Sequence, residues 1–348
     1  MIQLKAHTLH FHFEAGTSRG VLIEKTSYFI QIEKDGKKGI GEAGPLKGLS
    51  PEFEADCSET FQRIIQSLPD LPTSLADISN YIENIPFEYP SLRMAMEMAL
   101  IDWMNQGDGL YFSNPFSLQE QPIRINGLIW MGNPDFMRKQ IDAKLADGYN
   151  CLKLKIGAID FEQEIAILKE IRNRYKPAEL EIRVDANGAF RVEEAEAKLK
   201  RLAAFELHSI EQPIQVGQWD AMRELCEHHI LPIALDEELI GVQNRKELLE
   251  AIRPPYIILK PTLLGGFQAT RLWIEAAESL GIKWWITSAL ESNIGLQAIA
   301  QFTANFLNPL PQGLGTGQLY TNNFESGLYI QQGNIYQKTA KQRATPFD

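Results

Sequence analysis

Cysteine, histidine and basic residues, three common signposts of function, are scarce or badly placed in this 348-residue chain. Its three cysteines, Cys57, Cys151 and Cys226, are odd in number and far apart. They make neither a disulfide framework nor a CxxC metal pair, and so point to a reducing compartment. Of the six histidines, His7, His10 and His12 fall in the first strand-like run, while His208, His228 and His229 lie away from the positions singled out below. Lys and Arg number 34 against 45 Asp and Glu, a formal net charge of -11. That balance argues against the basic face a nucleic-acid partner needs. No apolar run approaches the roughly 18 residues that cross a bilayer. The opening MIQLKAHTLHFHFEAG alternates like a strand, without the basic start and apolar core of a signal peptide. A soluble, cytoplasmic protein is expected, with no nucleic-acid partner and no membrane.

What is present suits a folded globular chain: 44% hydrophobic and 23% charged residues. The length fits a barrel plus a smaller domain. Residues 1–118 read as an α+β capping domain. Alternation over 3–13 and 21–33 predicts two strands, and Asp35-Gly36 a hairpin turn before a third. Helical spacing of Leu92, Met96, Ala99, Leu100 and Trp103 predicts a helix over 91–106, its methionines packed in the core. From about residue 119 to 317, short β-rich runs alternate with amphipathic helices. The runs are 123–130, 151–156, 181–185, 209–212, 232–236, 256–260, 283–287 and 314–317. Such alternation implies a parallel sheet, and eight units of one period favour a closed barrel. Residues 318–348 lack a clear eighth helix and are expected to return to the capping domain.

The ends of these strands carry the chemistry. Lys155, Asp185, Glu211, Asp236 and Lys260 close five consecutive runs, spaced by 30, 26, 25 and 24 residues, about one βα unit each. In a parallel barrel all C-terminal strand ends open on one face, so this spacing gathers five ionisable groups around one rim. A lone carboxylate there often caps the next helix, and a lone lysine often snorkels. Five in register are hard to reach by that route. Three carboxylates repel one another unless a cation neutralises them, and an all-oxygen donor set favours Mg2+ or Mn2+ over zinc. With no histidine at the rim, the acid/base role falls to lysine, whose pKa can drop near a metal and a second lysine. Lys153 shares the strand face of Lys155. A base beside a Lewis acid suits removal of a proton α to a carboxylate.

The set Lys153-Leu-Lys155, Val184-Asp185-Ala-Asn187, Ile210-Glu211-Gln-Pro213, Leu235-Asp236-Glu237 and Leu259-Lys260-Pro261 resembles the enolase superfamily, muconate-lactonising subgroup. Gly41-Glu42-Ala-Gly44-Pro45-Leu46 and the helix at 91–103 look like that family's capping domain. The resemblance implies a modified (β/α)8 barrel, of (β/α)7β type, with an N-terminal cap and a magnesium-dependent carbon–oxygen lyase activity. Within the subgroup, Ser288-Ala-Leu-Glu291-Ser292-Asn-Ile-Gly295-Leu and Gln312-Gly-Leu-Gly315-Thr-Gly317 are most similar to the branch that makes o-succinylbenzoate. By that resemblance, a small cyclohexadiene carboxylate (SHCHC) undergoes syn dehydration in menaquinone biosynthesis. Lys155 takes the α-proton and protonates the leaving hydroxyl. Asp185, Glu211 and Asp236 hold Mg2+, and Lys260 favours the anionic intermediate from the opposite face. Lys153 lowers the pKa of Lys155 or meets the carboxylate. Asn187, Gln212 and Glu237 support these groups, Ser288 meets the substrate tail, and Arg19 belongs to the specificity loop 17–20 of the cap. An N-acylamino acid racemase or dipeptide epimerase would use the same two lysines. Gly315-Thr316-Gly317 stands where an Asp-x-Asp for a substrate amine is expected in epimerases, which counts against that alternative.

Overall fold

A computed structural model describes residues 1–17, 20–157, 159–338 and 344–348 of the protein. Its first part is an antiparallel sheet of β1 (Ile2–Thr17), β2 (Gly20–Lys34) and β3 (Lys37–Ala43), in that order. Between β2 and β3, Asp35 and Gly36 take positive φ of 54° and 73°, the backbone that a two-residue hairpin demands. Helices α1 (Ser58–Ser67), α2 (Ile78–Ile82) and α3 (Pro90–Met104) cover the sheet. Every residue of α3 from Pro90 to Trp103 is buried, because β3 presses directly on its backbone. A Cβ at Gly41 would stand 1.8 Å from the Ala95 carbonyl, so this contact exists only with glycine. Met94, Met96 and Met98 of α3 are core residues, as the spacing implied, and Met104 at its end is half-buried.

The second part is a seven-stranded parallel sheet curled into a barrel. Its strands are β5 (Gly127–Ile129), β6 (Cys151–Lys155), β7 (Glu181–Asp185), β8 (Ser209–Glu211), β9 (Ile233–Leu235), β10 (Tyr256–Leu259) and β11 (Lys283–Ile286). Connecting them are α4 (Pro134–Ala146), α5 (Phe161–Arg174), α6 (Val192–Ala203), α7 (Trp219–Glu227), α8 (Arg245–Ile252), α9 (Pro261–Leu264) with α10 (Phe267–Ser279), and finally α11 (Asn293–Thr303). Asn133 caps α4 by accepting from the Phe136 N–H, with Pro134 at the first helical position, as its sequence signals indicated.

Two details differ from the sequence reading. The run at 123–130 is two strands: β4 (Ile123–Arg124) leaves the barrel to pair with β13 (Asn334–Gln337), itself paired with β12 (Leu328–Gln331). Closure of the barrel falls at Gln312 and Gly313, not at 314–317, which forms a turn. Gln312 bridges to Ile125 and Gly313 to Thr287, both in parallel sense. Only glycine admits the second approach, since a Cβ at 313 would lie 2.1 Å from Thr287 Oγ1. Beyond the turn, residues 319–322 run beside β1, with His12 N–H donating to Leu319 O and Thr321 N–H to His10 O.

Candidate active site

Strand register places the ionisable groups on one level. Lys155 pairs with Asp185 across β6–β7, and Asp185 with Glu211 across β7–β8. Asp236 and Lys260 are the residues that follow β9 and β10. All five face the C-terminal mouth, where Lys155 and Lys260 stand four strands apart around the barrel. Just past these ends the chain turns through left-handed residues that are not glycine: Asn187 (φ 44°), Gln212 (φ 38°) and Leu290 (φ 64°). Strain of this kind gathers where a fold holds side chains for a task.

The carboxylates of Asp185, Glu211 and Asp236 are almost wholly buried. Lys153 reaches between two of them, with Nζ 3.0 Å from Asp185 and 2.6 Å from Glu211. Lys155 donates to Asp185 (3.1 Å) and to Asn187 Oδ1 (2.8 Å), and Lys260 pairs with Asp236. Asn187 in turn donates to Glu237 (2.9 Å), while the Gln212 amide oxygen accepts from the Asp236 and Glu238 N–H groups. Asn187, Gln212 and Glu237 therefore brace the lysine and carboxylate set.

Burial alone would raise the Asp185 carboxyl, yet Lys153 and Lys155 hold it far below the usual range. Asp236, equally buried, is lowered by Lys260 and then Lys153. Glu211 goes the other way: burial and the adjacent Asp185 drive it well above a normal carboxylate, against the pull of Lys153. Lys260 is raised despite burial, because Asp236 and Glu237 surround it.

The donor set fits a hard divalent cation. Three buried oxygen donors sit at adjacent strand ends, and Glu211 is crowded by like charge that added positive charge would relieve. With Lys153 and Lys260 bonded to the carboxylates, no three metal-binding side chains among the described residues form a ready-made cage.

A cavity of about 490 Å³ opens over this rim, lined by Lys153, Lys155, Asp185, Asn187, Lys260 and Ser288 among others. Asp185 is the sole acidic residue among its described lining. The expected Arg19 lies outside the described residues, but Gly20, Val21 and Leu22 of the same hairpin line the cavity. Asn126, Leu128 and Trp130, which sequence reasoning passed over as site residues, also line it, together with Leu290 and Thr316 from the two stretches that carried the family resemblance. They come from the first strand, the last turns and a loop, and carry no charge that spacing could flag.

Comparison with known proteins agrees with this geometry. Residues 136–340 match the enolase C-terminal domain-like family. The chain is 48% identical over 351 residues to the o-succinylbenzoate synthase of Desulfotalea psychrophila, covering 93% of this chain and 95% of the other. The crystal structure of MenC from the same organism superposes with a TM-score of 0.82 at 44% identity, covering 96% and 99%. A dipeptide epimerase from Enterococcus faecalis, complexed with Mg and L-Leu-L-Tyr, has the same fold: TM-score 0.85, 21% identity, 97% of each chain.

Proposed function

The chain belongs to the enolase C-terminal domain-like family, and from that premise we propose that it is a magnesium-dependent carbon–oxygen lyase making o-succinylbenzoate. Its substrate on this reading is SHCHC, its pathway menaquinone biosynthesis and its compartment the cytoplasm. The observation that carries the reading is the pair Lys155 and Lys260 on opposite strands of one cavity, with Asp185, Glu211 and Asp236 between them.

Asp185, Glu211 and Asp236 would hold Mg2+, with Mn2+ as a substitute. When bound, the cation supplies Lewis-acid stabilisation of the charge that develops on the substrate carboxylate as the α-proton leaves. Lys155, held by Asn187 and Asp185, takes that proton in its neutral form and stores it on Nζ. The same ammonium then delivers the proton to the departing hydroxyl on the same face, so water leaves and a carbon–carbon double bond forms. Lys260, across the cavity and kept cationic by Asp236, stabilises the intermediate's negative charge. Ser288 and Thr316 offer hydroxyls to the substrate tail. Lys153 and Lys260 offset part of the charge of the three carboxylates before a divalent cation and the substrate enter. A substrate with a free ammonium finds no acidic partner in the described lining beyond Asp185.

The test is turnover of SHCHC by the purified protein with Mg2+, read by NMR, beside N-acyl amino acids in deuterium oxide. Dehydration that a chelator stops and Mg2+ restores is expected. Exchange of the α-proton of N-acyl amino acids without dehydration of SHCHC would instead establish a racemase.

A further inference from the structure

Leu290 is a branched-chain wall residue of the cavity held at φ 64°, a backbone region that favours glycine. Its carbonyl is gripped from two sides, by Lys25 Nζ at 2.9 Å and by the Tyr320 hydroxyl at 2.6 Å. Its N–H donates to Ser288 Oγ at 2.9 Å, and Ser288 donates to Glu291 at 2.6 Å. Thr316 donates to Ser288 in turn, at 2.8 Å, so the polar rim of the cavity and the strained residue form one network.

Lys25 comes from the middle of β2 in the cap, 265 residues away in sequence, and is only 6% exposed. Its ammonium sits over Gly44, where a Cβ would come within 2.5 Å of Nζ. Glu42, on the neighbouring β3, completes the grip: it accepts from Ser292 N–H and Gly295 N–H at 2.8 and 2.9 Å at the start of α11. The cap thus holds one barrel loop by a cation on its carbonyl side and an anion on its amide side. A buried ammonium is costly unless its partners are fixed, and here a fixed partner is the carbonyl of a strained residue.

We infer that Lys25 and Tyr320 are positioning residues that latch Leu290 in its left-handed conformation and so shape the Ser288–Leu290 wall against which the substrate tail packs. The inference rests on the cavity being the substrate site proposed above. Strand β2 then serves the cavity twice, lining it with Gly20–Leu22 and setting the Ser288–Leu290 wall through Lys25.

Amide hydrogen exchange of residues 287–292 and steady-state kinetics with SHCHC are measured for Lys25→Met, Tyr320→Phe, Leu290→Gly and the double variant Lys25→Met/Leu290→Gly. Each of the first two should speed exchange at the Leu290 amide about tenfold, the worth of one strong hydrogen bond. KM should rise by about tenfold with kcat within about threefold, the pattern of lost binding without lost chemistry. Leu290→Gly, which relaxes the backbone, should show the same KM, and adding Lys25→Met to it should change little more. Unchanged exchange and KM in Tyr320→Phe would overturn the latch even if Lys25→Met fails to fold. Independent, multiplying effects of Lys25→Met and Leu290→Gly would overturn it too. Faster exchange in a protein that leaves SHCHC untouched would support the latch and refute the assigned reaction.

Discussion

Strand β7 carries a buried charge toward each end of the barrel, and the two ends behave differently. At the C-terminal mouth Asp185 shares its space with two lysines and the displaced Glu211, below a cavity. Two residues earlier on the same face, Arg183 is 1% exposed and settled. Its guanidinium donates to Glu181 at 2.8 Å and to Pro311 O at 2.9 Å, and lies 4.2 Å from the centre of the Trp285 ring. Cys151 donates to the same Glu181, and His208 packs on Tyr256. Burial of charge is common to both ends. What marks the mouth is like charge forced together beside open space, whereas the floor pairs each charge with an opposite one and fills the gaps with aromatic rings.

Removing a charge from each end should break the likeness in opposite ways. The largest effect is expected for Lys155→Ala, whose turnover should fall by about a thousandfold or more while Mg2+ binding, followed by calorimetry, survives. Asp236→Asn should lose Mg2+ affinity together with rate. Retention of most activity in Lys155→Ala would remove lysine from the proton transfer. At the floor, Arg183→Met should leave kcat and KM as they are but lower stability by about 3 kcal/mol, because Glu181 loses its partner. Urea unfolding measures that loss, and a fall in turnover at full occupancy of the folded state would contradict the division of labour.

The smallest effect sharpens the comparison through pH. Burial, then the Arg183 charge, pushes the His208 imidazole down to about 4. The folded protein thus binds this proton less readily than the unfolded chain, whose histidine titrates near 6.5. Stability is unaffected by the group above that value and is lost as pH falls from about 6.5 to about 4, by roughly 2–3 kcal/mol. His208→Gln should flatten that part of the acid limb in urea titrations without altering the pH profile of turnover. An unchanged acid limb would show that His208 is not the group responsible.

Much of the mouth could be read from sequence because its ionisable residues recur at the period of one βα unit. The spacing of Lys155, Asp185, Glu211, Asp236 and Lys260 carries the barrel and the rim together. The floor escaped notice because Arg183 and Glu181 look like ordinary alternation on a strand, and only closure of the barrel turns them inward. Asn126 escaped for want of charge. Left-handed geometry at Gln212 and Leu290 escaped because neither residue type advertises it. The partner of Lys25 was beyond reach for another reason: a contact spanning 265 residues is fixed by docking of the cap, not by local pattern. Closure two residues early, at Gln312–Gly313, brings Gly313 so close to Thr287 that only glycine fits, a contact that sequence periodicity does not weigh.

That closure gives the barrel a seam. Elsewhere neighbouring strands zip together by regular ladders, but the ring is completed by Gln312 N–H to Arg124 O, Asn126 N–H to Gln312 O, Gly313 N–H to Ile286 O and Ser288 N–H to Gly313 O. The Gln312 amide splints the joint by accepting from Ile286 N–H and donating to Leu310 O, and β13 straps β4 from outside. The joint adjoins Asn126, Thr287 and Ser288 of the cavity wall, whereas the lysine and carboxylate set stands on β6 to β10, where the ladders are continuous. Seam and ionisable set thus occupy different arcs of one circle.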